Sequence, residues 1–527
     1  MKKTIIILAI AAVALIQTSC LKEAVITSSM TEDVKNDIAK DDPDKVFKAT
    51  LTGMYTDLQQ YVKVNSSHNY FGQKSFDYLS SLMGNDMVMT GRYAMSLYHY
   101  LVDYRQETYA PTVNRWAEYY ATITNSNNIL KSISDTETAP AVLNYKAIAL
   151  GLRGYAYWQL TNLYSYAYYV GVSDNKWGVG AKHDHSQDLC VPINTEKITG
   201  LQARSTLEKV YEQLISDLET SYTILKDNGK LKTPEATDFD GCVAANYLMR
   251  AYMVKQDWAN AAKYAKVIMD NFPVLTSVDD ITQGFSSINL PDVVFGCDIT
   301  KDNETTYMSW FSQMDAYGEG YAADVYRVAF KPFVDKIAST DIRLQWFCCK
   351  RSTLGADGKV KLRDTNIDAM VEYRSVKFIG TGRPNIKAGI TAGWELGDYI
   401  YLRSEEAYLT YAEALAQQGS PEGKGALETF MKTRDASYTC TATSKAEIVA
   451  EINFQKRVEF WGEGMEYIDN RRLNIAVDRT DATWGENNNH MEAARFKYEQ
   501  EDLHFLYQLP LSEIENNNLI GPAHQNP

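Results

Sequence analysis

Cysteine and histidine are scarce, with seven of each in 527 residues. No two cysteines stand in C-x-x-C spacing, which removes the common zinc frameworks. Only His183 and His185 lie close together. They sit in a Gly/Asp/Ser-rich stretch with no further ligand beside them in sequence, so a solvated loop is the simpler reading. There is no D-x-D-x-D-G run for calcium, and no P-loop, G-x-S-x-G or H-E-x-x-H motif. No metal or cofactor is therefore expected. Positive charge is in deficit, 53 Lys and Arg against 67 Asp and Glu, a net charge of −14. That balance argues against nucleic acid as a partner and suits a surface for uncharged ligands. Cys190, Cys242, Cys297, Cys348, Cys349 and Cys440 are expected to be buried free thiols, although disulfides are permitted outside the cytoplasm.

A long apolar run is also missing. The one candidate, Thr4 to Ile16, is too short to span a membrane. With Lys2 and Lys3 before it and Gln17-Thr18-Ser19-Cys20 after it, it reads as a secretion signal. A small residue followed by cysteine, with no A-x-A-like site, resembles a lipoprotein box. Residues 1–19 are then the signal, Cys20 the lipidated first residue, and polar residues 20–43 a tether.

Helical periodicity dominates the chain beyond the tether, over about 44–64, 113–168, 205–273 and 399–475. The helix from residue 144 contains Gly151 and Gly154. Each glycine costs about 1 kcal/mol relative to alanine, a loss that close approach of a neighbouring helix would offset. The segment AANYLMRAYMVKQDWANAAKYAKVIMDNFP, 244–273, has the spacing of a 34-residue tetratricopeptide unit. Ala245 and Met249 replace its usual Trp and Gly. A second hairpin is expected over 399–436, with Tyr401 and Leu402 on its helical apolar face, and Ser444 with Glu447 predicts a capping box for the next helix. The fold class is mainly α, a tetratricopeptide-like scaffold of about four helix pairs within one domain, 44–527. Loop-rich insertions with short strands occupy 65–112, 170–200 and 276–398, where a repeat protein commonly places its binding face.

Glu405, Glu406, Glu413, Glu459 and Glu463 lie on repeat helices among Arg403, Arg434, Arg457, Arg471 and Arg472. Structural ion pairs are the plainer reading; a glycosidase carboxylate pair stays open. Aromatic residues crowd two loops instead. One holds Tyr93, Tyr98, Tyr100, Tyr104 and Tyr109, the other Tyr307, Trp310, Phe311, Tyr317, Tyr321 and Tyr326. The C–H face of a pyranose stacks on such rings, and its hydroxyls pair with groups like Arg92, Asp103, Arg105, Gln313 and Asp315. The expected ligand set is Trp310, as principal platform, with Tyr307, Tyr317, Tyr321, Tyr98, Tyr100, Arg92 and Gln313.

The segments LRSEEAYLTYAEAL (402–415), RVEFWGEG (457–464) and DNRR (469–472), with the ending FLYQLPLSEIENNNLIGPAHQNP, resemble the C-terminal signature of the SusD/RagB family. One departure is Glu466, where many members carry Arg. The resemblance implies a non-enzymatic lipoprotein on the outer-membrane surface. It would capture an oligosaccharide and pass it to a SusC-like TonB-dependent transporter. It also implies a buried, hydrogen-bonded role for Asn127. Three alternatives remain open: a peptide ligand within the same family, a tetratricopeptide scaffold in outer-membrane assembly, and a glycoside hydrolase.

Overall fold

A computed structural model describes residues 43–60, 68–91, 94–172, 182–315, 320–348, 359–362, 365–368, 373–380 and 394–527. Cys20, Arg92, Tyr93, Tyr317 and Cys349 lie outside the described residues. Helix α1 is Pro43–Gln59, and one compact unit extends from Thr50 to Pro527. Within that unit come α2 (Gly72–Leu82), β1 (Met87–Met89) and α3 (Ala94–Tyr100). Next are α4 (Ala110–Lys131) and α5 (Pro140–Tyr164), each with proline in its first turn, where a missing N–H costs nothing. Helices α6 (Leu207–Asp227), α7 (Gly241–Val254) and α8 (Trp258–Met269) are started by the side chains of Thr206, Asp240 and Asp257. Each cap accepts a backbone N–H of the first turn and so satisfies an otherwise orphaned donor.

Consecutive helices α4 to α8 pack in sequence as antiparallel neighbours, the arrangement expected of stacked pairs. The glycines of α5 permit this. A methyl on Gly154 would stand 2.7 Å from Leu218 Cγ, and one on Gly151 2.2 Å from the Phe239 ring. Asn127 on α4 is half-buried, and its Oδ1 accepts from Arg153 Nη1 at 2.8 Å.

The long insertion contributes β2 (Val293–Cys297), α9 (Trp310–Met314), β3 (Arg327–Ala329), β4 (Phe347–Cys348) and β5 (Arg374–Ser375). Strands β1, β3, β5 and β4, in that order, form an antiparallel sheet that ties the early loop region to the late one. Then β6 (Tyr399–Arg403) pairs antiparallel with β2, Tyr399 opposite Cys297. This corrects the helical reading of Tyr401 and Leu402. The run is short, four apolar residues of which two are tyrosine, which suits a strand as well as a helix, and pairing with β2 decides it. The helix begins only at α10 (Glu405–Gln417), followed by α11 (Glu422–Met431), α12 (Lys445–Glu459) and α13 (Met465–Leu473). The capping box at Ser444 and Glu447 is present with both of its hydrogen bonds. Cys190, Cys242 and Cys440 are buried free thiols, and Cys297 is a half-buried one.

The carboxylates of this region are engaged in buried ion pairs, although Glu463 lies in the turn between α12 and α13 and Arg403 on β6 rather than on helices. Glu459 meets Arg343 Nη1 at 3.2 Å, Arg403 Nη1 at 3.2 Å and Arg434 Nε at 3.0 Å, all without exposure to solvent beyond 1%. Burial alone would raise its pKa, but the three guanidiniums outweigh it and hold the carboxyl well below the usual range. Glu463 takes Arg403 Nη2 at 2.9 Å and Lys377 Nζ at 2.6 Å. Arg434 also reaches Glu405 at 3.1 Å, and Arg343 reaches Asp341 at 2.7 Å. Asp292, 3.7 Å from Arg403, is pushed well above the ordinary carboxylate range, by burial first and the Glu405 carboxylate second. A neighbouring cluster joins Glu413 to Arg472 at 2.6 Å and Lys456 to Asp469 at 2.8 Å.

Two glycines of the WGEG turn adopt left-handed backbone, φ 84° at Gly462 and 80° at Gly464, a region costly for other residues. The turn delivers Glu466 beneath Gly84, where a methyl group would collide with its carboxylate. Glu466 accepts the backbone N–H of Asn85 at 2.5 Å and of Asp86 at 3.2 Å. The departure from the family's Arg therefore creates a buried acid that closes the turn before β1. Burial, with the nearby Asp86 carboxylate, raises its pKa from 4.5 to about 7, although Arg457 opposes this. A carboxyl whose folded pKa is raised stabilises fully below the unfolded value and loses that contribution as pH rises through the folded one. The melting temperature should therefore fall between about pH 5 and about pH 8, and fall less in Glu466→Gln. Thermal melts of both proteins across that range check it; equal slopes would refute the assignment.

Candidate functional site

The two aromatic loops separate into inward and outward residues. In the insertion, Ser309 caps α9, its Oγ accepting from the Ser312 N–H at 3.1 Å. All five residues of α9 are buried. Trp310 is 1% exposed and lies edge-on to Phe378 with ring centroids 5.0 Å apart. The Lys74 ammonium lies 4.0 Å from its ring centroid, and its backbone N–H donates to the Tyr399 hydroxyl at 3.2 Å. Trp310 is therefore a core residue rather than a stacking platform. Its surrounding Gly/Asp composition was a poor guide, because a single capped turn suffices to drive a tryptophan inward. Gln313 is likewise fully buried. Its Oε1 accepts from Arg327 Nη2 at 2.8 Å, while its Nε2 donates to the His68 carbonyl at 3.3 Å. It positions the loop before α2 rather than contacting a ligand.

That loop brings His68 to the surface, a residue the sequence reading missed. The only signal was its place in the polar NSSHNY stretch directly before α2. His68 and Tyr307 are stacked, centroids 6.3 Å apart and planes within 8°. Tyr321 completes the group at 5.6 Å from His68 and 6.0 Å from Tyr307, with its hydroxyl hydrogen-bonded to His68 Nδ1. Tyr307 is 46% exposed and Tyr321 half-buried. These rings, with Tyr321 tilted 46° to His68 and 53° to Tyr307, form a partly exposed apolar cluster edged by imidazole and phenol groups, a combination able to meet the C–H face and hydroxyls of a sugar.

In the earlier loop Tyr98 is exposed and Tyr100 buried. Both lie on α3, and residues two apart on a helix face opposite ways. The Tyr100 hydroxyl is 2.6 Å from His490 Nδ1, and Arg479 lies over its ring. Tyr100 therefore also belongs to the core. Tyr98 instead joins Tyr104 at 4.9 Å, which meets Tyr109 at 4.7 Å. This forms a second exposed aromatic group. Its loop is braced by Gln525, whose Nε2 donates to Glu107 at 3.1 Å, and by Arg105, which donates to the Pro527 carbonyl at 2.7 Å.

His183 and His185 both contact the Glu501 carboxylate, at 2.6 and 2.7 Å, and His185 also contacts Asp188 at 2.7 Å. Among the described residues no group of three or more His, Cys, Asp or Glu is placed to hold a metal ion. Nor is any described helix long and apolar enough to cross a membrane.

Two family models match the chain. One, described as starch-binding associating with the outer membrane, covers residues 33–253, and the SusD family model covers residues 359–527. No curated protein matches the chain in sequence. Among solved structures, a SusD-like carbohydrate binding protein from Bacteroides vulgatus superposes with a TM-score of 0.71 at 21% identity, covering 91% of this chain and 98% of its own. A SusD superfamily protein from Bacteroides thetaiotaomicron gives 0.69 at 20%, covering 92% and 99%. Surface glycan-binding protein A from Bacteroides uniformis gives 0.60 at 15%, covering 92% and 99%. At these identities the structures speak to fold, which is helical and tetratricopeptide-like.

Truncating a buried aromatic costs about 3–5 kcal/mol, cavity term included. Trp310→Ala is expected to lose stability of that order in denaturant unfolding, while Tyr307→Ala unfolds like the wild type. The reverse ranking would return Trp310 to the surface.

Proposed function

The chain belongs to the SusD/RagB family, and from that premise we propose that it is a cell-surface binding protein for an oligosaccharide. The observation that carries this reading is the exposed His68–Tyr307–Tyr321 group on loops projecting from a rigid repeat scaffold. The Tyr98–Tyr104–Tyr109 group offers a further stacking surface. Binding, not turnover, is the reading, since Glu405, Glu406, Glu413, Glu459 and Glu463 are all held in ion pairs with Arg or Lys. The matched family description, which couples starch binding with the outer membrane, supports delivery of the captured glycan to a SusC-like TonB-dependent transporter. The Ser19-Cys20 junction supports attachment through lipid on Cys20.

The deciding experiment is a glycan array followed by calorimetry on the glycan it identifies. A platform residue contributes roughly 2 kcal/mol or more, about 30-fold in affinity. Tyr307→Ala combined with Tyr321→Ala is expected to weaken binding at least that much with an unchanged melt. A blank array, or wild-type affinity in the double variant, would remove the reading; a bound peptide would move it to the peptide-binding alternative.

Anchoring has its own check. In cells, the wild type should fractionate with the outer membrane and co-purify with a large β-barrel protein after detergent solubilisation, and Cys20→Ala should be released. Retention of that variant in the membrane fraction, together with no labelled palmitate on the wild type, would rule out the lipid anchor.

A further inference from the structure

Among the described residues, two with β-branched side chains have left-handed backbone, Val102 at φ 54° and Thr306 at φ 41°. A branched side chain fits that region badly, so each is a genuine outlier. Each also stands just before a ring of an exposed aromatic group, Val102 before Tyr104 and Thr306 before Tyr307. We infer that Thr306 is a positioning residue of the binding surface: its left-handed backbone, imposed by the bonds around it, aims the Tyr307 ring. This role rests on the proposed saccharide binding and deepens it.

The Met308 N–H donates to the Thr305 carbonyl at 3.0 Å, closing a four-residue turn with Thr306 and Tyr307 at its centre. Thr306 has positive φ and Tyr307 does not. That pattern belongs to a turn that takes glycine at its first central residue. Packing does not explain the threonine, because its side chain is exposed. Hydrogen bonds on both sides do. The Thr305 hydroxyl donates to the Met308 carbonyl at 2.5 Å, and the Ser309 hydroxyl to the Thr306 carbonyl at 2.6 Å. Trp310 follows at once, its ring buried and its N–H fixed on the Tyr399 hydroxyl. Relaxation of Thr306 to negative φ would displace all of these groups. The turn so held leaves Tyr307 46% exposed, with its ring nearly parallel to His68.

The earlier aromatic group repeats the arrangement on an unrelated turn. At the end of α3 the Asp103 N–H donates to the Tyr98 carbonyl at 3.1 Å and the Val102 N–H to the His99 carbonyl at 2.9 Å. These are the two bonds of a Schellman motif, whose left-handed position is usually glycine. Val102 holds it with its side chain 1% exposed, so burial offsets the backbone cost. The reversal carries Tyr104 back onto Tyr98, with ring centroids 4.9 Å apart. Backbone strain persists only where the surrounding structure over-determines it, and it collects at ligand clamps. Its recurrence beside both exposed aromatic groups ties it to the rings.

Two substitutions separate the backbone angle from the side chain. Glycine accepts the left-handed conformation of Thr306 freely, whereas proline is locked at a φ of about −65° and cannot. The ring arrangement is read by NMR of the free full chain from its histidine Cε1–H signals, seven in all. His68 reports on Tyr307, and His99, edge-on to Tyr104 at 5.7 Å, on the earlier group. Binding is read by calorimetry with maltohexaose, xylohexaose, mannohexaose and any glycan the array picks out. Thr306→Gly, the conservative change for a backbone role, is expected to keep the wild-type His68 signal and affinity, with a melting temperature no lower. Thr306→Pro is expected to move the His68 signal to its position in Tyr307→Ala, leave His99 unmoved, and weaken glycan binding about tenfold or more. Thr305→Val removes one bond that holds the turn, and is expected to shift both readouts in the same direction should Thr306→Pro fold poorly. Wild-type His68 signal and affinity in both of those variants would overturn the inference and leave glycan binding intact. So would a loss in Thr306→Gly as large as in Thr306→Pro. If no hexasaccharide binds the wild type and the array is blank, the saccharide reading falls and the positioning role falls with it.

Discussion

A single carboxylate, Glu459, ties the long insertion to the C-terminal repeat region. It receives Arg403 and Arg434 from the repeat region and Arg343 from the long insertion. Lys377, also from the insertion, donates to the Glu459 carbonyl at 2.7 Å and pairs with Glu463 at 2.6 Å. In a low-dielectric interior such charges are tolerated only when each has its partner, and removing one member costs about 3–5 kcal/mol because the others are left uncompensated. The insertion therefore cannot shift against the helices without exposing or stranding a charge. Asp292, beside Glu405, fits the same constraint: burial and the neighbouring carboxylate both disfavour its ionised form.

The aromatic loop of the insertion is held in place by this arrangement. Phe378, next to Lys377, packs edge-on against Trp310, and Lys74 couples that indole to α2 by lying over its face and donating to the Ile400 carbonyl at 3.0 Å. Arg327 then links the Tyr78 hydroxyl, at 2.9 Å, to Gln313, at 2.8 Å, and Gln313 holds the His68 backbone. Each step is a buried, satisfied contact. The outward rings of Tyr307, Tyr321 and His68 are thus presented by side chains that face inward, and preorganised rings lose little freedom on binding.

The closing segment works in the same manner. Asn526 Nδ2 donates to the carbonyls of Tyr164 and Tyr507, at 3.0 and 2.7 Å, and Gln525 Oε1 accepts from the Leu509 N–H at 2.7 Å. These side chains satisfy backbone groups near the end of α5, which gives the Gln-Asn pair of the family's ending a physical role. It also seats the loop that carries Tyr104 and Tyr109.

Much of the scaffold was legible in the sequence because it depends on local rules. Apolar periodicity, Gly151 and Gly154, the Ser444–Glu447 capping box and the mixture of Arg and Glu on the repeat helices each state a requirement met within a few residues or by any close neighbour. Where a segment's state depended on a distant partner, the sequence was ambiguous. Tyr399–Arg403 is a strand because β2 lies beside it, and His183 and His185 find Glu501 more than 300 residues away. The exposed aromatic groups were legible only as composition. The sequence by itself determined that aromatic residues crowd two loops. Only the tertiary structure decided which of them face solvent, turning Trp310, Gln313 and Tyr100 inward and adding His68, because exposure is set by what packs against a residue and not by the residues that flank it.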